Sequence, residues 1–171
     1  MSNKIHPIIK NRAGFTLVEV MVALTIIMVG IIGAYALVNQ SLALANNASM
    51  RLTASYLGKE GIEIVRNIRD SNYLNIYHND AGSWEDGLLG CAGGCGADYT
   101  MLALDPSYAN LPLRFDGDFF NYAAGEVAAY KRIITVVPFA DHLEVGVEIR
   151  WNIGGRANSM VVREDIYNWW Q

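Results

Sequence analysis

One segment constrains this chain more than any other: the apolar run from Phe15 to Val38, in which Glu19 is the only ionisable side chain. As an α-helix the run would extend ~36 Å at ~1.5 Å per residue. That is enough to cross the ~30 Å hydrocarbon core of a bilayer. The sequence therefore predicts a membrane-spanning helix over residues 15–38.

The residues before this run set its expected orientation. Residues 1–14 carry Lys4, Lys10 and Arg12 and no acidic residue. Bases beside an apolar span are retained in the cytoplasm, which places the C-terminal part of the chain outside. An ordinary secretory signal fits less well, because its small-residue cleavage site follows the apolar region. Here the small residues, Ala13 and Gly14, precede it.

Glu19 is the anomaly within the run. A carboxylate inside a membrane span costs ~2.5–3.5 kcal/mol, which makes it a candidate functional residue that needs a partner. Cleavage after Gly14 would create one, the α-amino group of Phe15, in the same subunit or in a neighbouring one. The alternative is that Glu19 lies near the cytoplasmic headgroups and reaches water. The residue alone leaves both interpretations open.

The heptapeptide Gly14-Phe15-Thr16-Leu17-Val18-Glu19-Val20, after a basic leader and before an apolar helix, closely resembles the prepilin signature of type IV pilins and pseudopilins. The resemblance implies that a prepilin peptidase cuts after Gly14 and methylates the exposed amine of Phe15. It also implies that Glu19 is the assembly carboxylate. The implied partners are other pilin subunits, the peptidase and a membrane assembly platform driven by a cytoplasmic ATPase.

One position departs from the pattern of many major pilins. These have a proline at mature position 22, where this chain has Ala36, and a proline would remove a helical hydrogen bond. Gly30 and Gly33 are milder weak points, which would permit bending or close approach of helices. The departure favours a minor pilin or a pseudopilin. Residues 54–70 also resemble the spine of PilV-type minor pilins and of minor pseudopilins of type II secretion.

The helical pattern continues beyond the membrane span. A stripe at heptad-like spacing predicts that residues 39–70 form an amphipathic half of the same helix, since no proline intervenes from Phe15 to Asp70. Its members are Met50, Ala54, Leu57, Gly61, Ile64 and Ile68.

Residues 71–128 read as a loop-rich region. In an oxidising compartment Cys91 and Cys95 are expected to form a disulfide, the alternative being two unpaired cysteines. Residues 99–104 are a possible short strand, and Asp116-Gly117-Asp118 predicts a tight turn. Calcium at that turn is the alternative, suggested by the resemblance to pseudopilins, some of which bind calcium in this region.

Residues 129–171 carry a strong strand pattern. Leu143 to Trp151 alternates apolar and polar residues. Residues 130–137 are rich in β-branched residues and stop at Pro138, and Gly154-Gly155 precedes a third strand over 159–166. We predict an antiparallel meander whose apolar face covers the helical stripe. Trp169 and Trp170 are expected to pack under the sheet or to form an exposed contact. The fold class is thus α+β and pilin-like.

Composition argues against several other classes. The formal net charge is −4, and it becomes −7 once residues 1–14 with their three bases are removed, so nucleic-acid binding is not predicted. Two cysteines and three scattered histidines do not make a metal site. We find neither a phosphate-binding loop nor a nucleophile–base pair, and predict no enzymatic activity and no cofactor.

The resulting functional prediction is a minor pilin of a type IV pilus-like filament. The subunit would wait as a single-pass protein of the inner membrane and then enter an extracellular pilus. The alternative is a minor pseudopilin of a type II secretion system, in a periplasmic pseudopilus. A permanently anchored binding protein is a weaker alternative, because it does not account for Gly14, Phe15 and Glu19 together.

Overall fold

A computed structural model describes residues 14–79 and 81–169. The chain divides into two compact units, one up to Asn46 and one from Asn47 onward. Each unit is treated by itself below.

A single helix, α1, runs from Leu17 to Asn79, so the predicted uninterrupted helix is confirmed. It continues nine residues past its expected end at Asp70. Residues 71–79 contain neither glycine nor proline, and Tyr73 is buried where its ring lies 6.5 Å from that of Trp84. Tertiary contacts therefore keep the last turns helical.

Five antiparallel strands form one sheet in the order β2-β1-β3-β4-β5. Their bounds are Pro112–Phe115 (β1), Phe120–Asn121 (β2), Glu126–Pro138 (β3), His142–Ile153 (β4) and Arg156–Tyr167 (β5). The predicted meander is β3-β4-β5, with turn glycines Gly154 and Gly155 at positive φ. A short 3₁₀ helix spans Pro106–Tyr108.

The core of the second unit lies between α1 and this sheet. Five residues of the predicted stripe are buried and Met50 is partly buried, which confirms the stripe. Gly58 and Gly61 bring the helix close to the strands: a Cβ at Gly61 would lie 2.7 Å from Val147 Cγ1, and one at Gly58 would lie 2.7 Å from Val162 Cγ2.

Three predictions for the loop region need correction. Residues 99–104 form no strand, because the buried Asp98 side chain accepts hydrogen bonds from the Thr100 amide at 3.0 Å and hydroxyl at 2.6 Å and so makes a turn. The region is also less irregular than expected, since it holds β1 and β2. Finally, β3 begins at Glu126, before the expected boundary at 129, because Phe115 pairs with Glu126.

Asp116-Gly117-Asp118 forms the predicted turn. The Oδ1 atom of Asp116 accepts from the amides of Asp118 at 3.0 Å and Phe119 at 2.8 Å, and Gly117 has a φ of 114°. These hydrogen bonds, above all the one from the Phe119 amide, hold the pKa of the Asp116 carboxyl below its usual value. In the described part of the chain, no three His, Cys, Asp or Glu side chains converge to hold a metal ion.

Cys91 and Cys95 form the predicted disulfide, with their Cα atoms 5.3 Å apart and both residues buried. The loop that they close lies against β3. The amide of Cys95 donates to Ile134 O and the amide of Ile134 donates to Cys95 O, each at 2.8 Å. The disulfide loop therefore pairs with β3 where β1 does not reach it.

Arg132 is a buried cation that the sequence reading did not single out. It is 0% exposed, donates to Ala97 O at 2.7 Å, and forms an ion pair with Glu60 of α1 at 3.2 Å. Burial raises the pKa of the neighbouring Tyr122 phenol, although the Arg132 charge opposes the shift. Arg132 thus links β3 to the segment that follows the disulfide loop, at Ala97, and to α1 through Glu60.

Of the two alternatives expected for the terminal tryptophans, burial under the sheet does not hold for Trp169, which is exposed. Its side chain contacts the Tyr73 ring edge-on at 5.3 Å, yet the residue stays 59% exposed, because it follows the edge strand β5. Trp170 lies outside the described residues.

Gly61→Ala is expected to lower the free energy of unfolding by about 1–2 kcal/mol, because the added methyl group overpacks a filled core by more than the gain in helix propensity. Thermal unfolding of the full chain in non-ionic detergent, followed by near-UV circular dichroism, measures the change. Gly93→Ala is the matched control, since a Cβ at Gly93 meets nothing within 4 Å. Equal melting temperatures for the two variants would contradict the close-packing argument.

Replacing both Cys91 and Cys95 by alanine is expected to lower the free energy of unfolding by about 2 kcal/mol, the loop-closure entropy of so short a loop. The same melting experiment checks this. Reductant should destabilise the wild-type chain and leave the double variant unchanged. A variant as stable as the oxidised wild type would show that the hydrogen bonds to β3 alone hold the loop.

Candidate assembly segment

The candidate segment begins outside the helix. Gly14, Phe15 and Thr16 are non-helical and α1 begins at Leu17, so the Gly14–Phe15 peptide bond precedes the first helical turn. A protease needs an accessible, non-helical bond, because helical hydrogen bonds hide the backbone. Phe15 is 81% exposed and a Cβ at Gly14 would meet nothing within 4 Å. None of the described residues therefore covers the predicted cleavage position.

Thr16 caps the helix, a feature that the sequence reading missed. Its Oγ1 accepts a hydrogen bond from the backbone amide of Glu19 at 3.2 Å, which satisfies one of the free donors of the first turn. The Thr-x-x-Glu spacing of a capping box was the available signal. The cap fixes where the helix starts, and so places Glu19 in its first turn.

The Glu19 carboxylate differs from two other polar side chains of the first unit, those of Thr25 and Asn39. Thr25 Oγ1 donates to Val22 O at 2.8 Å and the Asn39 amide donates to Tyr35 O at 3.1 Å, so both satisfy themselves within the helix. Among the residues that the structure describes, no donor or cation contacts the carboxylate of Glu19. Phe15 and Glu19 are brought within one turn of each other along the chain, but no contact joins them.

The remainder of the first unit is an apolar helical surface. Every described residue up to Asn46 is exposed, including Gly30, Gly33 and Ala36. The helix contains a window of mean hydropathy 2.5 with none of that window buried, which by length and composition is enough to cross a membrane. Helix α1 passes through Ala36 without a break, as expected in the absence of proline.

The remaining predicted site residues, Cys91 and Cys95, belong to the second unit and form the structural disulfide described above. They take no part in the segment around Gly14. The first unit therefore holds the candidate functional residues Gly14, Phe15 and Glu19.

Comparison with known proteins identifies this segment. No curated protein and no solved structure matches the chain. Residues 9–35 match the family model described as the prokaryotic N-terminal methylation motif. This chain therefore carries the signature of type IV pilins and pseudopilins.

Proposed function

We propose that the chain is a structural subunit, a minor pilin, of a type IV pilus-like filament. The observation that carries the proposal is the coincidence of an open Gly14–Phe15 bond with a capped apolar helix that holds one unpartnered carboxylate, Glu19. The methylation motif over residues 9–35 supports the same conclusion. A structural role leaves no need for catalytic residues.

Processing comes first in the proposed mechanism. The precursor spans the inner membrane through the apolar half of α1, with the basic leader in the cytoplasm. The prepilin peptidase hydrolyses the bond after Gly14, and the new α-amino group of Phe15 is methylated. Methylation leaves an amine that can still carry a positive charge, so the mature end remains able to pair with a carboxylate.

Assembly follows from the exposed apolar surface of the first unit. A membrane platform driven by a cytoplasmic ATPase would extract the subunit, and the helices would exchange contacts with lipid for contacts with other helices. The carboxylate of Glu19 then loses its access to headgroups and water and needs a positive partner. The Phe15 amine of a neighbouring subunit supplies one, and this pairing fixes the axial register of the filament.

A minor pseudopilin of a type II secretion system is the second candidate. The unbroken helix at Ala36 favours a minor subunit of either system, and the processing chemistry is the same. Affinity purification distinguishes the two: a retraction ATPase among the associated proteins supports the pilus, and an outer-membrane secretin supports secretion.

Gly14→Val is expected to abolish cleavage and leave a precursor of unchanged size on a gel. The side chain fits the chain itself, because nothing lies within 4 Å of a Cβ at this position. A block would therefore reflect recognition by the peptidase. Gly33→Val, at another open glycine of the same unit, is the matched control and should be processed. Normal maturation of the Gly14 variant, or a mature N-terminus other than Phe15, would refute the cleavage assignment.

Glu19→Gln and Glu19→Leu are expected to insert normally but to reduce incorporation into sheared filaments by about tenfold, corresponding to ~1.4 kcal/mol of lost pairing. Glutamine keeps the backbone amide that donates to Thr16 Oγ1, so Glu19→Gln removes the charge and leaves the cap in place. Asn39→Leu is the control, because Asn39 is satisfied within the helix. Incorporation of Glu19→Gln at the wild-type level would mean that the negative charge of Glu19 plays no part in assembly.

A further inference from the structure

The two edges of the sheet differ in how much unpaired backbone they expose. At one side β2 is only two residues long, which leaves little backbone for another strand to pair with. Beyond β1, the same side of β3 is occupied by the disulfide loop through Cys95 and Ile134. This side of the sheet is therefore shortened or covered by the chain itself.

The opposite edge is long and open. β5 has twelve residues, contains no proline, and keeps an unbroken register with β4 from Arg156 to Tyr167. In the part of the chain that the structure describes, no strand pairs with its outer edge. Such an edge presents a row of backbone donors and acceptors to a further strand, and proteins usually block it with bulges, proline or a covering segment. Among the described residues β5 has no bulge, proline or covering segment, although it carries the charged side chains that also protect edges, at Arg156, Arg163, Glu164 and Asp165. An added strand must therefore carry charges that complement them.

Beside the end of β5 lies a cleft of about 590 Å³, here named the β5 cleft, between α1 and the strand. Its charged lining consists of two arginines (Arg66, Arg69) and four carboxylates (Glu63, Asp70, Glu164, Asp165). The cleft therefore has an excess of negative charge.

The two arginines are already engaged with carboxylates of the cleft. Arg66 contacts both Glu63 and Glu164. These contacts raise the pKa of its guanidinium, and the hydrogen bond with Glu164 has the largest effect. Arg69 lies 2.8 Å from Asp70.

Asp165 alternates with Glu164 along β5 and so points to the opposite face of the sheet, across from Glu144. On the helix-facing side Glu63 and Glu164 share the Arg66 guanidinium, so this side has more carboxylates than cations and can take a further positive group.

Two aromatic side chains stand at the same end of the strand. Tyr167 and Trp169 line the cleft and are 51% and 59% exposed. Aromatic faces beside carboxylates bind lysine and arginine side chains, by cation–π attraction and by ion pairing.

We propose that β5 is a docking edge for an extended segment of another protein, which adds as a sixth strand and places a lysine or arginine side chain in the β5 cleft. Backbone hydrogen bonds along β5 would provide affinity, and the cleft would provide specificity for charge. The inference concerns the second unit alone and does not depend on the function proposed for Gly14, Phe15 and Glu19.

The alternation of β5 refines the expected sequence of this segment. Met160 and Val162 lie on the partly buried, helix-facing side of the strand, followed on the same side by Glu164. Because strand side chains alternate, the added strand presents every second residue to that side. Those residues should be apolar opposite Met160 and Val162 and basic near Glu164.

Binding of synthetic peptides to the full chain in detergent micelles tests the proposal. The probe is a fluorescein-labelled nine-residue peptide that alternates valine and serine and has a central lysine. Two matched peptides carry a central glutamate or N-methylated valines, which cannot donate strand hydrogen bonds. By fluorescence anisotropy we expect the lysine peptide to bind at least about tenfold more tightly than either of the others.

Removal of a carboxylate locates the site. Glu164→Gln should remove most of the preference for the lysine peptide, since it takes one negative charge from the cleft while Arg66 keeps its contact with Glu63. Asp118→Asn removes a carboxylate at an exposed position between β1 and β2 and should leave binding unchanged. Equal binding of all three peptides, or equal effects of the two variants, would overturn the proposal. So would a stable homodimer, measured by sedimentation, that excludes the peptide.

Discussion

The first unit depends on one constraint: none of the described residues covers its apolar side chains. Every described residue from Gly14 to Asn46 is exposed, and burial of apolar surface contributes about 25 cal/mol per Å². So large an uncovered surface requires lipid or other helices around it. A helix is suited to both surroundings because it satisfies its own backbone polar groups. The side chains of Thr25 and Asn39 also form hydrogen bonds within the helix, whereas no described residue donates to the carboxylate of Glu19.

The second unit depends on a different condition, the close approach of α1 to the sheet. Gly58 and Gly61 remove the side chains that would separate the helix from Val162 and Val147. Beneath this contact the buried Arg132 forms an ion pair with Glu60 and donates to Ala97 O. The helix and the sheet are thus joined by a contact at Gly58 and Gly61 that leaves no room for a methyl group. They are also joined by the buried charge of Arg132, because loss of its partners would leave that charge unpaired at a large cost in free energy.

Periodic features of the sequence predicted most of this fold. Each successful prediction came from a pattern within a short stretch of sequence. The apolar run and the stripe from Met50 to Ile68 correspond to α1, and the alternation from Leu143 to Trp151 corresponds to β4. What the sequence reading missed depends on contacts between distant residues. The end of α1 depends on Tyr73 meeting Trp84, and β1 and β2 depend on pairing with β3. No pattern within a short window carries that information. The helix cap at Thr16 is the one missed feature that a local pattern could have predicted, because the sequence has the Thr-x-x-Glu spacing from Thr16 to Glu19.

The disulfide loop has a consequence for the two sides of the sheet. Cys95 occupies the edge of β3 through two backbone hydrogen bonds, and the covalent link to Cys91 holds it there. Protection of that side therefore relies on an oxidising environment, because reducing agents act on the bond that keeps the loop compact. The state of β5 is insensitive to redox conditions. One border of the sheet is thus shielded by a bond that forms only under oxidising conditions, whereas the other is equally accessible under oxidising and reducing conditions.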